Sequence, residues 1–468
     1  MGTPTRLLLA LLIVCAVLNA PTSVPRPHDE NIYFLMAREV GRGLVPYRDF
    51  FFAHPPVMLV LLTATFAAAG TTWQVGTLVA TAVSLGLLIG CFALTRRLIG
   101  ERPALLSCAL LLGSQGFLMS AQTDGNALSL MFVMTALVAY QGERPGLAGL
   151  LCGFAALTKL FALVAIPPIL LDLLTRSGDR SDARRFLITL VAVLIGVMGA
   201  FLAVSGVERV ANPVVLYHLT KDPLSIQARM SVIVRFLSLN ALAVVAALPA
   251  LRTGFRLRNR TLFGLLVLAT LLILVQRRIY IQYLIYPLLP LIVFAGATLD
   301  GAFSRSRGLA ALTILVLTVN LIWSAAGNLS SKTDAPFGRA LLHMAQTVAS
   351  TSSPEDTVLG HAVAAPTLAF LANRRMSADV LDLNYARVTS GQMDVAELVE
   401  RIKTDRPRFI VLVGNRQNNS EGTDYTFSGL GDDRVFTRYM IDEWTLRGRV
   451  LRWTEGQSLV LFENVGAG

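Results

Sequence analysis

Charge is scarce in this chain. Only 15% of its 468 residues are Asp, Glu, Lys or Arg, against 54% hydrophobic, so it carries far more apolar surface than one water-soluble core can bury. Water is thereby excluded as the main solvent. Cysteine is nearly missing: Cys15, Cys91, Cys108 and Cys152 each sit inside an apolar stretch without pairing or metal-ligand spacing, which predicts free thiols and no zinc site. No glycine-rich nucleotide-binding loop and no internal repeat is visible. Acidic residues are also short, 30 against 41 basic ones, but the excess is mostly Arg in short loops between apolar blocks. That distribution marks membrane topology and argues against a nucleic-acid partner.

What is present is a series of apolar blocks, many of them close to the length an α-helix needs to cross about 30 Å of hydrocarbon. They fall near 7–24, 74–93, 104–121, 125–140, 146–158, 160–174, 186–204, 232–251, 262–276, 281–299 and 309–326. The expectation is an α-helical polytopic membrane protein with about eleven transmembrane helices plus interfacial helices. Residues 6–20 also have the features of a cleavable signal peptide, ending Leu18-Asn19-Ala20. Residues 55–69 are apolar but short, open with two prolines and stop at Gly70, which predicts a helix lying at the interface.

Arginine then orients the chain. Arg6, Arg96, Arg97, Arg102, Arg144, Arg176, Arg180, Arg184, Arg185, Arg252, Arg256, Arg258, Arg260, Arg305 and Arg307 occupy alternate short loops, expected to be cytoplasmic. The other set, 25–73, the Asp124 turn, the Lys159 turn, 205–231 and 276–280, then faces outward. This alternation requires that 55–69 does not cross. Beyond Gly327 the composition turns to that of a small α/β domain, so the expected division is a membrane part, 1–327, and an outer α/β part, 328–468.

The most informative segment is His28-Asp29-Glu30-Asn31-Ile32-Tyr33, continuing through Ala37-Arg38 and Gly43 to Pro46-Tyr47-Arg48-Asp49 and His54-Pro55-Pro56. Adjacent carboxylates directly after a span are costly unless paired or facing a wet cavity, which favours a functional role over a plain solvated loop. With Thr123-Asp124, Leu157-Thr158-Lys159 and the run from Tyr280 to Pro290, the pattern resembles the GT-C superfamily. It looks specifically like the branch that contains protein O-mannosyltransferases and the aminoarabinose transferases that modify lipid A.

The resemblance implies transfer of a sugar from a polyprenyl phosphate carrier to a lipid, glycan or protein acceptor, with inversion, on the outer face of a bacterial plasma membrane. Under it Asp29 is the candidate base, helped or merely flanked by Glu30, and Asp124 is a further active-site carboxylate unless it only caps its helix. Lys159, Arg277 and Arg278 are the cations expected to receive the departing phosphate, unless they merely snorkel at the boundary. Tyr33, His54 and Tyr283 are candidates for positioning sugar or phosphate, and His218 and Lys221 for closing over the site. Lipid A transferases often carry Lys where His54 stands here. Some GT-C enzymes hold a divalent metal with carboxylates, but these lack a recognisable ligand spacing, so no required cofactor is expected. Two rivals remain: a transporter or flippase of lipid-linked sugars, which would place its charges at mid-span, and a structural membrane subunit whose outer part binds a partner.

Overall fold

The structure is a computed structural model describing residues 3–21, 24–25, 28–120, 122–176, 180–252, 259–333, 336–383, 385–415, 424–426, 446–452 and 457–464. It opens with α1 (Thr3–Leu18), α2 (Glu30–Gly41), α3 (Val57–Ala69), α4 (Trp73–Ile99), α5 (Glu101–Leu112), α6 (Gln115–Ser120), α7 (Asn126–Gln141) and α8 (Pro145–Ala156). A 3₁₀ turn, Leu160–Ala165, leads into α9 (Ile166–Arg176) and α10 (Ser181–Ser205). The short helices α11 (Val207–Ala211) and α12 (Tyr217–Thr220) precede α13 (Ile226–Leu239), α14 (Ala241–Arg252) and α15 (Arg260–Val275). After a second 3₁₀ turn, Ile281–Leu284, come α16 (Ile285–Arg305) and α17 (Arg307–Thr333).

Among the described residues four helices are each long and apolar enough to cross a membrane: α4, α10, α16 with its leading 3₁₀ turn, and α17. The bent pair α13 and α14 raises the number to five if it counts as one span. The remaining apolar helices, including α1, α3, α7, α8 and α15, are shorter. Ile188, Val191 and Ile195 on α10, and Ile314, Leu315, Ile322 and Trp323 on α17, point away from the protein. Apolar side chains presented outward over whole helices need hydrocarbon around them.

Two expected spans are broken, and the breaks lie together. The run 232–251 is not one helix: α13 and α14 meet at Asn240 with a bend of 82°. The run 104–121 stops at Gly113 and restarts as α6. A break in hydrocarbon frees backbone groups that must find partners. Here the Gly113 carbonyl accepts from Asn320 Nδ2 at 2.8 Å and Ser324 Oγ at 2.6 Å, while Asn240 Oδ1 accepts from Ser114 Oγ at 2.7 Å. A uniformly apolar run hides such a break, because side-chain amides and hydroxyls elsewhere in the chain supply the partners.

Tight helix contact comes from small residues. Gly149 and Gly153 lie four apart on one face of α8, and a Cβ at Gly149 would meet the Phe186 carbonyl oxygen of α10 at 2.1 Å.

The C-terminal part adds α18 (Pro336–Thr351), β1 (Thr357–Gly360), α19 (Ala364–Leu371), β2 (Arg375–Met376), α20 (Tyr385–Thr389), α21 (Val395–Asp405), β3 (Phe409–Asn415), β4 (Asp424–Thr426), β5 (Leu446–Arg452) and β6 (Gln457–Asn464). The sheet runs β2-β1-β3-β6-β5, with β4 also beside β3. β1 is parallel to β2 and β3, and β6 is antiparallel to β3 and β5. This part is clamped to α2. The buried Arg38 guanidinium donates to the carbonyls of Ala369 at 2.9 Å and Arg374 at 2.5 Å and pairs with Glu39 at 2.6 Å. Asn31 Nδ2 donates to Thr367 Oγ1 at 2.7 Å. A buried charge is tolerated only when so fully satisfied, so α2 is held rigidly against α19. That fixes the residue just before α2, which is Asp29.

Candidate active site

The loops that charge patterning assigned to one side meet around a set of three joined cavities. The smallest, about 140 Å³, is polar: Asp29, Tyr33, His54, Tyr217, Lys221 and Asp382 line it, with Tyr280, Gln282 and Tyr283. At roughly 30 Å³ per liquid water it holds a small polar group, not a chain. The largest, about 550 Å³, is walled by apolar side chains such as Leu163, Val164, Leu268, Leu271, Leu272 and Val275 and ends at His54, Lys159 and His218. A third, about 290 Å³, is lined by Arg277, Arg278 and Lys221 beside Gln276 and Tyr280. Tyr283 lines all three and marks their junction.

Asp29 stands at the entry to α2 without spending its carboxylate on capping the helix. It is open to solvent through the cavity, yet protein walls enclose it. That enclosure raises its pKa above the ordinary carboxylate value, and Lys159 and Lys221 oppose the rise. The result is a carboxylate more basic than one in free water.

Lys159 occupies the turn after α8, is buried, and places Nζ 3.0 Å from His54 Nε2. Gly125, at φ +89°, makes room for it: a Cβ there would lie 3.2 Å from Lys159 Cε. The His54 ring stacks on His218 with centroids 5.5 Å apart, and Lys221 Nζ lies 3.4 Å from His218 Nδ1. Burial, then the neighbouring lysines, hold both histidines below their usual pKa, His218 at about 4, so both are neutral. Burial and Lys159 push Lys221 down to about 8. Two lysines and two neutral imidazoles thus form one continuous cluster where the polar and apolar cavities join.

The other expected residues lie outside this cluster. Glu30 is buried and lines none of these cavities; its Oε2 accepts from the Thr123 amide at 3.4 Å and hydroxyl at 3.5 Å. Asp124 also lines none of them, and accepts from the Asn126 amide at 2.9 Å and side chain at 2.5 Å. From there it faces Lys159 as a buried counter-charge. Arg277 and Arg278 line the third cavity and staple the loop across it, donating to the carbonyls of Lys221 at 3.3 Å and Asp222 at 2.9 Å. Asp382, Tyr217, Tyr280 and Gln282 were not anticipated. Asp382 comes from the C-terminal part, where no local sequence pattern links it to a loop so distant along the chain.

Among the described residues no three His, Cys, Asp or Glu side chains come together as a metal site would require.

Residues 53–205 match the family model described as dolichyl-phosphate-mannose-protein mannosyltransferase, and over nearly its whole length the chain shares its fold with solved membrane glycosyltransferases. In particular it is similar to ArnT from Cupriavidus metallidurans, solved bound to undecaprenyl phosphate, with a TM-score of 0.68 and 15% identity over 99% of this chain and 98% of that one. The oligosaccharyltransferase AglB from Archaeoglobus fulgidus, in complex with an inhibitory peptide and a dolichol-phosphate, gives 0.55 and 10% over 91% of this chain and 74% of its own. The arabinofuranosyltransferase AftD from Mycobacteria gives 0.51 and 13% over 99% and 40%. No curated protein matches the chain.

Proposed function

We propose that this chain is a membrane glycosyltransferase that moves one sugar from a polyprenyl phosphate carrier to an acceptor hydroxyl on a lipid, glycan or protein. The observation that carries this reading is the meeting of an apolar cavity and a polar, carboxylate-bearing cavity at Lys159 and His54. An isoprenoid tail fits the first, a sugar the second, and the phosphate the cations between them. That ArnT and AglB were solved with polyprenyl phosphates supports the same occupant here.

In the reaction the acceptor oxygen attacks the anomeric carbon on the face opposite the phosphate, and Asp29 takes its proton. The carbon–oxygen bond to phosphate breaks with its electron pair staying on the phosphate, so the products are an inverted glycoside and a free polyprenyl phosphate. Lys159 and Lys221 stabilise the charge that grows on the leaving oxygens. Side-chain cations take this task, and no required metal is proposed. By charge patterning, the alternating loops put the site and the part 328–468 on the outer face of the membrane, which the resemblance implies is a bacterial plasma membrane.

The test is a reconstituted assay. Vesicles carrying the purified protein are given radiolabelled undecaprenyl phosphate sugars and membrane extract, and label is followed into product. Transfer that depends on Asp29 supports the proposal. Movement of intact lipid-linked sugar across the bilayer, with no sugar transferred, would establish the flippase reading instead.

A further inference from the structure

Among the described residues, Asp382 is the one carboxylate that the C-terminal part sends into the polar cavity. It lies between the 3₁₀ turn Ser377–Asp379 and α20, in a stretch that reaches across to the membrane part. Arg387 holds the main chain there: its Nη1 donates to the Asp382 carbonyl, and its guanidinium lies 4.2 Å over the Phe51 ring. The hydrogen bond from Arg387 is thus spent on the backbone of this residue, while its charge and that of Lys221 act on the carboxylate from around it. The Asp382 carboxylate keeps one oxygen, Oδ1, buried without a hydrogen-bond partner. Such a group is costly to bury and calls for a donor that arrives from elsewhere.

The surroundings say which donor. Tyr33, Tyr217 and Lys221 share the same small cavity, and Asp29 also lines it, close enough to help raise the pKa of Asp382. The cations belong to the phosphate end, and Asp29 is committed to the acceptor proton. What remains for Asp382 is the ring that the cavity encloses.

We propose that Asp382 binds the transferred sugar, accepting hydrogen bonds from its ring hydroxyl or amino groups and so setting which sugar the enzyme takes. This rests on the polyprenyl phosphate reading above and deepens it. Burial pushes the Asp382 carboxyl up to about 6, so it is ionised at neutral pH and accepts strongly. A site built to hydrogen-bond a substrate group rejects the analogue without it, because the buried acceptor is then left unpaired.

The experiment measures binding to the full-length protein in detergent, using undecaprenyl phosphate, undecaprenyl phosphate mannose and undecaprenyl phosphate arabinose. Wild type should bind at least one glycosylated lipid more tightly than the bare lipid. Asp382→Asn, nearly isosteric, should erase that preference, with a loss of about 10- to 100-fold for the glycosylated lipid and bare-lipid affinity unchanged. Arg387→Gln is the control for a purely structural role and should leave more of the preference than Asp382→Asn does; Asp382→Ser replaces the Asn variant if that one does not purify as a folded species. A preference that survives loss of the carboxylate, or its absence from wild type with both sugars, overturns the proposal. So does an equal fall in bare-lipid affinity, or an Arg387→Gln variant that matches the loss. Failure of wild type to bind bare undecaprenyl phosphate would instead remove the broader glycosyltransferase reading.

Discussion

Lys159 Nζ and His54 Nε2 stand 3.0 Å apart at the floor of the apolar cavity, the ammonium donating to a neutral imidazole. The ring accepts through Nε2 because burial first, and then its lysine neighbours, hold its pKa down, which leaves the ammonium as the group of the pair that meets an anion. Lys159→Met should lower kcat by roughly 10²-fold and weaken bare undecaprenyl phosphate, whereas His54→Lys, which restores the residue common in lipid A transferases, should retain binding. Titration of the purified variants with undecaprenyl phosphate checks both.

Asp29→Asn should reduce transfer by about 10²- to 10⁴-fold and leave affinity for undecaprenyl phosphate intact. In wild type the rate should fall on the acid side, at a pH above that of an unperturbed carboxylate, since enclosure raises the Asp29 pKa and the base must be ionised. A pH–rate profile with and without Asp29 gives the answer.

Lys221 titrates at about 8, so its ammonium is fully charged below that pH and lost above it. Affinity for undecaprenyl phosphate should therefore decline between pH 7 and pH 9, by about tenfold per unit once past the midpoint if this charge dominates. Lys221→Met should flatten that decline. An unchanged slope in the variant would assign the titration elsewhere.

Glu30 sits one residue from Asp29 but should behave differently. Glu30→Gln removes a buried charge-assisted contact to Thr123 and should cost about 1–3 kcal/mol of stability, seen as a lower unfolding temperature in detergent. The acid limb of the rate profile should stay where it is. A shifted limb would make Glu30 part of the proton transfer.

Arg38→Met should be more damaging to the fold, by about 3 kcal/mol, because it strands three carbonyls of the C-terminal part and leaves the buried Glu39 with Arg42. Unfolding monitored by tryptophan fluorescence reads this directly.

Apolar run length located the helices but not their breaks. At Gly113 and Asn240 the sequence is still rich in apolar residues, and the partners that make a break affordable, Asn320, Ser324 and Ser114, come from other segments. Asp29, His54 and Lys159 were visible because each is a polar residue forced beside an apolar block. The same signal picked out Glu30 and Asp124, whose burial against Thr123 and Asn126 depends on chain folding that spacing does not encode. Arg277 and Arg278, read as cations for the departing phosphate or as residues snorkelling at the boundary, also donate to the backbone of the adjacent loop, a contact that no spacing encodes. Asp382 gave no signal at all, lying in a segment read as a separate soluble part.

Because Asp29, just before α2, and Asp382, beyond β2, wall one chamber, a ribosome must have made the membrane part and much of the C-terminal part before that chamber exists. Partly made chains, though already inserted, would hold lipid without a finished reaction vessel. Docking of the C-terminal part is thereby what closes the vessel.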